Sequence, residues 1–317
     1  MGIRGLNTFI KKVCPECVTY NKITKYSGKV FAIDASILIY KYRYISKIND
    51  SSHIIGFINR VKYYLSNNII PVFIFDGIPP IEKKNTLKKR QNIKNKIQEK
   101  IDILHNINKH NSDIEKEEIN KEIDKLSNQI IYVTKYHIYE CQKLLKLLGI
   151  PFMVAPDEAE KYCVFLQNEK LIDYIVTDDT DVLTFGGNKI LKTSIKSDII
   201  EVDLNVLLNK IEYNKDKFIE LCVLSGCDYL PFIPNLAINT VYTLFKKHDD
   251  INSIIKLNKY TFPEDYNYTK VKKIFTEFNY DNNISKFKLE IINLDELKLF
   301  LNNMKIENGN KIINKFI

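Results

Sequence analysis

Short continuous apolar runs recur along this chain, bounded by turn residues and alternating with stretches whose apolar positions fall three and four apart. Strand-like runs lie near 29–33, 69–75, 151–154, 174–177 and 189–192. Runs this apolar on consecutive positions fit strands covered on both faces. Alternating with helical patterns, they predict an α/β domain with a largely parallel central sheet. The best-marked helix runs from about Thr134 to Leu148, with Ile138, Cys141, Leu144, Leu145 and Leu148 as its stripe, Gly149 as its stop and Pro151 just beyond. Residues 82–131 differ. Ile93, Ile97, Ile101 and Leu104 mark one amphipathic helix, Ile119, Ile123, Leu126 and Ile130 a second, and the polar stretch His105–Asp113 separates them. This reads as a charged helical excursion with too little apolar surface for a core, or as a partly disordered insertion.

Acids follow the apolar runs. Lys29-Val30-Phe31-Ala32-Ile33 ends at Asp34, and the run 69–75 ends at Asp76, with Gly77, Pro79 and Pro80 turning the chain. Leu221–Cys227, read as a third such strand, leads into Asp228. Tyr174-Ile175-Val176 precedes Asp179 and Asp181, whose spacing would let both leave the sheet on one face. Ala155-Pro156-Asp157-Glu158-Ala159-Glu160 adds two more, with Asp157 a candidate N-cap that puts Glu158 and Glu160 in the first turn of a helix. Residues two apart on a helix point to different sides, so these two are expected to contribute unequally. One Asp past a strand is ordinary turn chemistry. Repeated, it fits an open α/β sheet whose ligand site lies beyond the carboxyl ends of its strands. Carboxylates packed together repel unless a cation neutralises them, and oxygen-only donors suit Mg²⁺ or Mn²⁺. Seven acids are too many for one ion, so a two-metal site is expected; the alternative for Glu158, Glu160, Asp179 and Asp181 is a solvated acidic loop.

Charge and cysteine content narrow the picture. The 317 residues carry a net charge of +8, unevenly placed. Lys83, Lys84, Lys88, Lys89, Arg90, Lys94, Lys96 and Lys100 crowd one helical stretch that holds only Glu82 and Glu99 as acids. Such a run is either a solvated helix face or a ridge for a polyanion; beside an acidic metal site the ridge offsets repulsion between phosphates and carboxylates. Lys83 and Arg90, seven apart, share a helix face. Cys14 and Cys17 have CxxC spacing but no second pair completes a zinc set, and Cys141, Cys163, Cys222 and Cys227 sit in apolar patterns as buried thiols. With no signal peptide and no apolar run of membrane-spanning length, an intracellular soluble protein is expected, in the nucleus or, for a viral chain, at a replication site in host cytoplasm.

Three blocks resemble the amino-terminal region of flap endonuclease: Met1-Gly2-Ile3-Arg4-Gly5-Leu6, Ile33-Asp34-Ala35-Ser36 to Tyr40, and Phe75-Asp76-Gly77 with Pro79-Pro80. Val133–Glu140-Cys141, Leu144 to Pro151, Ala155–Glu160, Asp179–Gly186 and Gly226-Cys227-Asp228-Tyr229 resemble its internal region. In order and near-constant in spacing to about Ile255, they identify the chain as a member of the flap endonuclease/xeroderma pigmentosum group G nuclease family. The resemblance implies a PIN-like 5′-nuclease fold. It divides the chain into a nuclease domain at 1–255 (amino-terminal region 1–100, helical arch about 82–131, internal region 132–255 with a helix–two-turns–helix element at 228–248) and a carboxyl-terminal helical extension at 256–317. It implies two Mg²⁺, replaceable by Mn²⁺, with Asp34, Asp76, Glu158 and Glu160 serving one and Asp179, Asp181 and Asp228 the other. It makes Lys83 and Arg90 the cations at the scissile phosphate, and Tyr40 a ring that stacks on a terminal base, against the plainer reading of Tyr40 as a surface tyrosine. Gly2, once Met1 is removed, is expected to bring its amine near the phosphate.

The implied activity is phosphodiester hydrolysis at 5′ flaps and other branched DNA, by a monomer. A 5′–3′ exonuclease or junction resolvase of the same fold is the enzymatic alternative, and a non-catalytic DNA scaffold the alternative of another class. The loop Phe232–Thr240 lacks the glycines of the family's turn. Asn235 tolerates positive φ and Ala237 does so poorly, so weak K⁺ binding is expected there, with Lys246 and Lys247 on the following helix carrying duplex affinity. No Gln-x-x-Leu-x-x-Phe-Phe box lies near the carboxyl end, so sliding-clamp binding of the usual kind is not expected.

Overall fold

The computed structural model describes residues 2–45, 51–108, 113–193 and 198–306. Among them, seven strands form one sheet: β1 (Val18–Asn21), β2 (Val30–Asp34), β3 (Ile70–Phe75), β4 (Phe152–Val154), β5 (Tyr174–Val176), β6 (Lys189–Lys192) and β7 (Ile199–Asp203). The order across the sheet is β1-β7-β6-β5-β2-β3-β4. β4, β3, β2, β5 and β6 run parallel, while β7 lies antiparallel to both β6 and β1. The chain leaves β2 first toward β3 and later, on its other side, toward β5. That reversal makes the end of the β2/β5 pair a topological switch point.

Alternation along the central strands feeds two cores. Ala32 of β2 with Val72 and Ile74 of β3 packs into one, beside the helices Leu6–Val13, Ala159–Asn168, Lys215–Ser225 and Ile238–Phe245. Phe31 and Ile33 of β2 with Phe73 and Phe75 of β3 pack into the other, against Ala35–Ile45, Ser52–Leu65 and Lys135–Leu147. Residues 256–306 enter both, Val271 and Phe275 the first and Leu297, Phe300 and Leu301 the second. The expected helix at 134–148 spans Lys135–Leu147, with Thr134 and His137 forming a reciprocal cap.

Three expectations change. The run at 221–227 belongs to the helix Lys215–Ser225 and is not a strand; Leu221 to Ser225 are all buried, and an apolar run buried all round carries no period to tell helix from strand. Asp157 is not the N-cap of the next helix. Glu158 holds that position and the helix is Ala159–Asn168, so only Glu160 lies in the first turn. Asp181 opens a short helix, Asp181–Phe185, with Asp179 in the turn before it, so the two do not share one strand face.

The excursion at 82–131 forms helices Lys84–Asn108 and Asp113–Ser127. Ile101, Ile123 and Ile130, with Ile97, Leu104, Ile119 and Leu126 against them, make a small apolar cluster of their own, while Ile93 is exposed. Of the stretch His105–Asp113, residues 109–112 lie outside the described residues.

Candidate metal and nucleic-acid site

Strand geometry sets the site. β2, β3 and β5 are parallel, so Asp34 at the end of β2, Asp76 just past β3 and Asp179 shortly after β5 emerge at one edge of the sheet. A cavity of about 530 Å³ opens there, lined by Asp34, Asp76, Glu158, Glu160, Asp179 and Asp228. Asp181 does not line it but is buried close enough to Asp179 and Asp228 for their charges to act on it.

Local contacts lock the acidic loops together. The amide of Ala159 donates to Asp76 Oδ1 at 2.9 Å, so the helix bearing Glu160 is capped by an acid from β3. Asp157 is occupied elsewhere: it accepts from the Tyr280 hydroxyl and pairs with Lys161 at 3.3 Å, which explains why it does not cap. Gly77 is pressed against the same loop, since a Cβ there would come within 1.9 Å of the Ala155 carbonyl oxygen. Gly77 N–H also donates to the Asp157 carbonyl at 2.7 Å. Asp34 accepts from Ile37 N–H and from the Thr177 hydroxyl, each at 3.1 Å, and Asp181 N–H donates to Asp179 Oδ1 at 3.0 Å.

The electrostatics are those of crowded buried acids. Burial, then the charge of Asp76, pushes the Asp34 carboxyl up to about 8. Burial, followed by Asp34, Asp179 and Asp76, raises Glu160 well above the ordinary range. Asp181 rises likewise, from burial and then Asp179 and Asp228. Two basic residues answer this charge. Lys83 Nζ donates to Glu158 Oε1 and lies 3.7 Å from Asp228 Oδ2. Burial works against its charge, but Glu158, with Glu160 and Asp228 behind it, holds its pKa above the usual lysine range. Arg90 Nη2 reaches both oxygens of Asp228, at 2.9 and 2.7 Å. Among the described residues, no three Asp, Glu, His or Cys side chains converge as a finished metal cage.

The other expected site residues are distributed unevenly. Tyr40 lines the cavity. Gly2, at φ +88°, lies so close to Asp179 that a Cβ would come within 2.2 Å of its Oδ1; Met1 lies outside the described residues. Lys246 and Lys247 do not reach the cavity. They sit exposed in the turn that closes the helix Ile238–Phe245 rather than on the helix itself, with Lys246 Nζ 4.7 Å from the Tyr242 ring. Asn235 takes the left-handed backbone at φ 65°, while Ala237 is extended at φ −71°. The turn therefore puts its one left-handed non-glycine residue where a short polar side chain stands it best, and Ala237 bears no strain.

Sequence reasoning did not single out Tyr229, whose buried hydroxyl donates to Glu158 Oε2, or Thr86, whose hydroxyl donates to the Asp228 carbonyl at 2.7 Å. Tyr229 closes the block Gly226-Cys227-Asp228-Tyr229, and that place beside Asp228 was the signal available for it. All six cysteines are free thiols, and no described helix is long and apolar enough to cross a membrane.

Clustered acids lie at a switch point, faced by Lys83 and Arg90, an arrangement whose chemistry suits a polyanion and divalent cations. Comparison with known proteins gives the family. The XPG N-terminal domain model matches residues 1–97 and the XPG I-region model residues 149–228. The chain is 34% identical over 293 residues to Flap endonuclease 1 of Enterocytozoon bieneusi, covering 87% of this chain and 77% of that protein. It is 33% identical over 307 residues to Flap endonuclease 1-A of Oryza sativa subsp. japonica, covering 91% and 78%. The fold matches the catalytic core of Rad2 in complex with DNA substrate, at TM-score 0.77 and 24% identity over all of both chains. It also matches flap endonuclease-1 from Methanococcus jannaschii, at TM-score 0.71 and 24% identity over 94% and 95%. This chain belongs to the XPG/flap endonuclease family of nucleases.

Proposed function

We propose that the protein is a structure-specific 5′ nuclease, hydrolysing phosphodiester bonds at 5′ flaps and at junctions of single-stranded and duplex DNA during replication, repair or recombination. The observation that carries this reading is the cleft itself: buried acids at the carboxyl edge of parallel strands, faced by Lys83 and Arg90 within one cavity. The names of the similar flap endonucleases support the substrate class.

The residues fit hard divalent cations. Every donor is a carboxylate oxygen, burial and then neighbouring carboxylates raise Asp34, Glu160 and Asp181, and buried Asp181 Oδ1 has no hydrogen-bond partner in the protein. Asp34, Asp76, Glu158 and Glu160 would hold one Mg²⁺ and Asp179, Asp181 and Asp228 a second, some through water, with Mn²⁺ able to replace either. Bound there, such ions make a water nucleophilic at neutral pH and stabilise the leaving oxygen. Lys83 and Arg90 exchange their carboxylate partners for the scissile phosphate, Arg90 as a planar fork and Lys83 as a point charge. Tyr40 stacks on the base next to that phosphate. Gly2 approaches it beside Asp179, and Lys246 and Lys247 hold duplex phosphates at a distance. The protein acts as a monomer.

A 5′-labelled flap, a nicked duplex and a four-way junction incubated with Mg²⁺ test this. Cutting of the flap near its junction is expected. A ladder of short products from the nick would make it an exonuclease, paired cuts in the junction a resolvase, and no product on any of them a scaffold. Seven retained, mutually repelling acids argue against the scaffold, which has no use for them.

A further inference from the structure

In the lining of the same cavity, one ammonium lies close to two exposed rings. Lys94 Nζ is 5.6 Å from the ring centroid of Tyr40 and 5.8 Å from that of Tyr132. Tyr40 is 39% exposed and Tyr132 49%, so neither ring is spent on a core. The arrangement is built. Ile130 is buried in the arch's own apolar cluster, which anchors the segment returning from the second arch helix. The next carbonyl, of Ile131, accepts from Lys94 Nζ at 3.1 Å, and the Tyr132 ring follows. Tyr40 and Lys94 line the acid cavity whereas Tyr132 does not, so Tyr132 extends the pair beyond the cavity's lining.

We infer that Tyr40, Lys94 and Tyr132 form a shelf for two consecutive nucleotides of a 5′ single strand, the ammonium taking the phosphate between them and each ring taking one base. The spacing suits this unit because a phosphate held at Lys94 carries a base at each of its two ends, and two exposed rings have their centroids within 5.8 Å of Lys94 Nζ. The occupant is single-stranded DNA, because the rings offer flat faces to unpaired bases and bases stacked within a duplex have no free face to give. Sequence preference is not expected, since every base has a π-face. Tyr132 is the new element, as no reading of the reaction chemistry requires it. The inference rests on the flap-nuclease reading above.

The test is equilibrium binding with Ca²⁺ in place of Mg²⁺, to flapped duplexes whose 5′ single strand is one, two or five nucleotides long. For the full-length wild type, affinity should rise from the one- to the two-nucleotide flap, and an abasic second nucleotide should remove that rise. Tyr132→Ala should lower the ratio of two-nucleotide to one-nucleotide affinity by roughly 5- to 150-fold, the range of one base–aromatic stack. Tyr132→Phe should restore it, since the ring and not the hydroxyl stacks. An equal loss at every flap length would make Tyr132 a prop for the arch and overturn the inference, as would a wild type indifferent to the abasic site. If the wild type binds flapped and unflapped duplex alike, the flap reading itself fails, a result distinct from either of those.

Discussion

Asp34→Asn tests whether the cleft is a cation site held at a cost by crowded acids. Asp34 is 2% exposed. Its carboxyl is raised from 3.8 to about 8 by burial, then by Asp76, against the pull of Ile37 N–H and the Thr177 hydroxyl. In the unfolded chain this acid has lost its proton by pH 5; in the metal-free native state the cluster keeps it to about pH 8. The native state thus binds more protons than the unfolded state throughout that window, and metal-free stability falls as pH rises. The ceiling is about 1 kcal/mol per pH unit for one proton, or on the order of 3 kcal/mol between pH 5 and pH 7. In a chain of this size that is a fall in Tm of about 5 °C.

Asparagine keeps an acceptor for Ile37 N–H and offers its own N–H to the Thr177 oxygen, but has no proton to hold. Urea unfolding in EDTA should therefore show wild-type stability declining from pH 5 to pH 7 more steeply than that of Asp34→Asn. Mg²⁺ should reverse the advantage. An ion that binds only the native state adds about 2.7 kcal/mol at a hundred times its Kd, and the variant, with one donor fewer, should gain less. Parallel pH profiles for the two proteins, or an equal Mg²⁺ gain in both, would refute the reasoning.

Asp181→Ala should leave folding and DNA binding nearly intact and abolish cleavage, because repulsion from Asp179 and Asp228 is relieved as metal is lost; retention of a tenth of wild-type cleavage at saturating Mg²⁺ would remove Asp181 from the metal site. Arg90→Ala should slow single-turnover cleavage by orders of magnitude with a smaller loss of affinity, and equal losses in both would reduce Arg90 to a docking residue. In the turn, Asn235→Ala should cost roughly 1–2 kcal/mol in urea unfolding while Asn235→Gly should not, since φ is 65° there. Cleavage in KCl against NaCl at equal ionic strength should show no marked K⁺ advantage, and replacing Lys246 and Lys247 should flatten the salt dependence of duplex binding.

What the sequence disclosed and what it hid separate along one physical line. β2, β3 and β5 were legible because central strands write apolar runs, β4 and β6 because a short apolar core marks each although β4 is an edge strand and lysines bound β6, and the acids were legible because they follow such runs or stand in a quoted motif. β1 and β7 lie at or next to the antiparallel edge, where Val18-Thr19-Tyr20-Asn21 shows no such run, and neither was read. The helix Lys215–Ser225 was misread for the opposite reason, burial so complete that its period vanished. The site shows the same division. That Asp76, Glu158 and Glu160 belong to one centre could be argued from motif. That Asp76 caps the helix carrying Glu160 could not, because the bond joins residues 83 apart, and local cap rules look only to the residues just ahead of a helix. Asp157 had the right side chain in nearly the right place and was taken instead by Tyr280, 123 residues downstream. Glu158 is held by Lys83 from the arch and Tyr229 from beyond Asp228, so its position is settled by segments on both sides of it in the chain. Residue types and short spacings therefore suffice to bring out the acids that gather at the cleft, while the order in which those acids are tethered to one another and to Lys83 and Arg90 is written only in contacts across the fold.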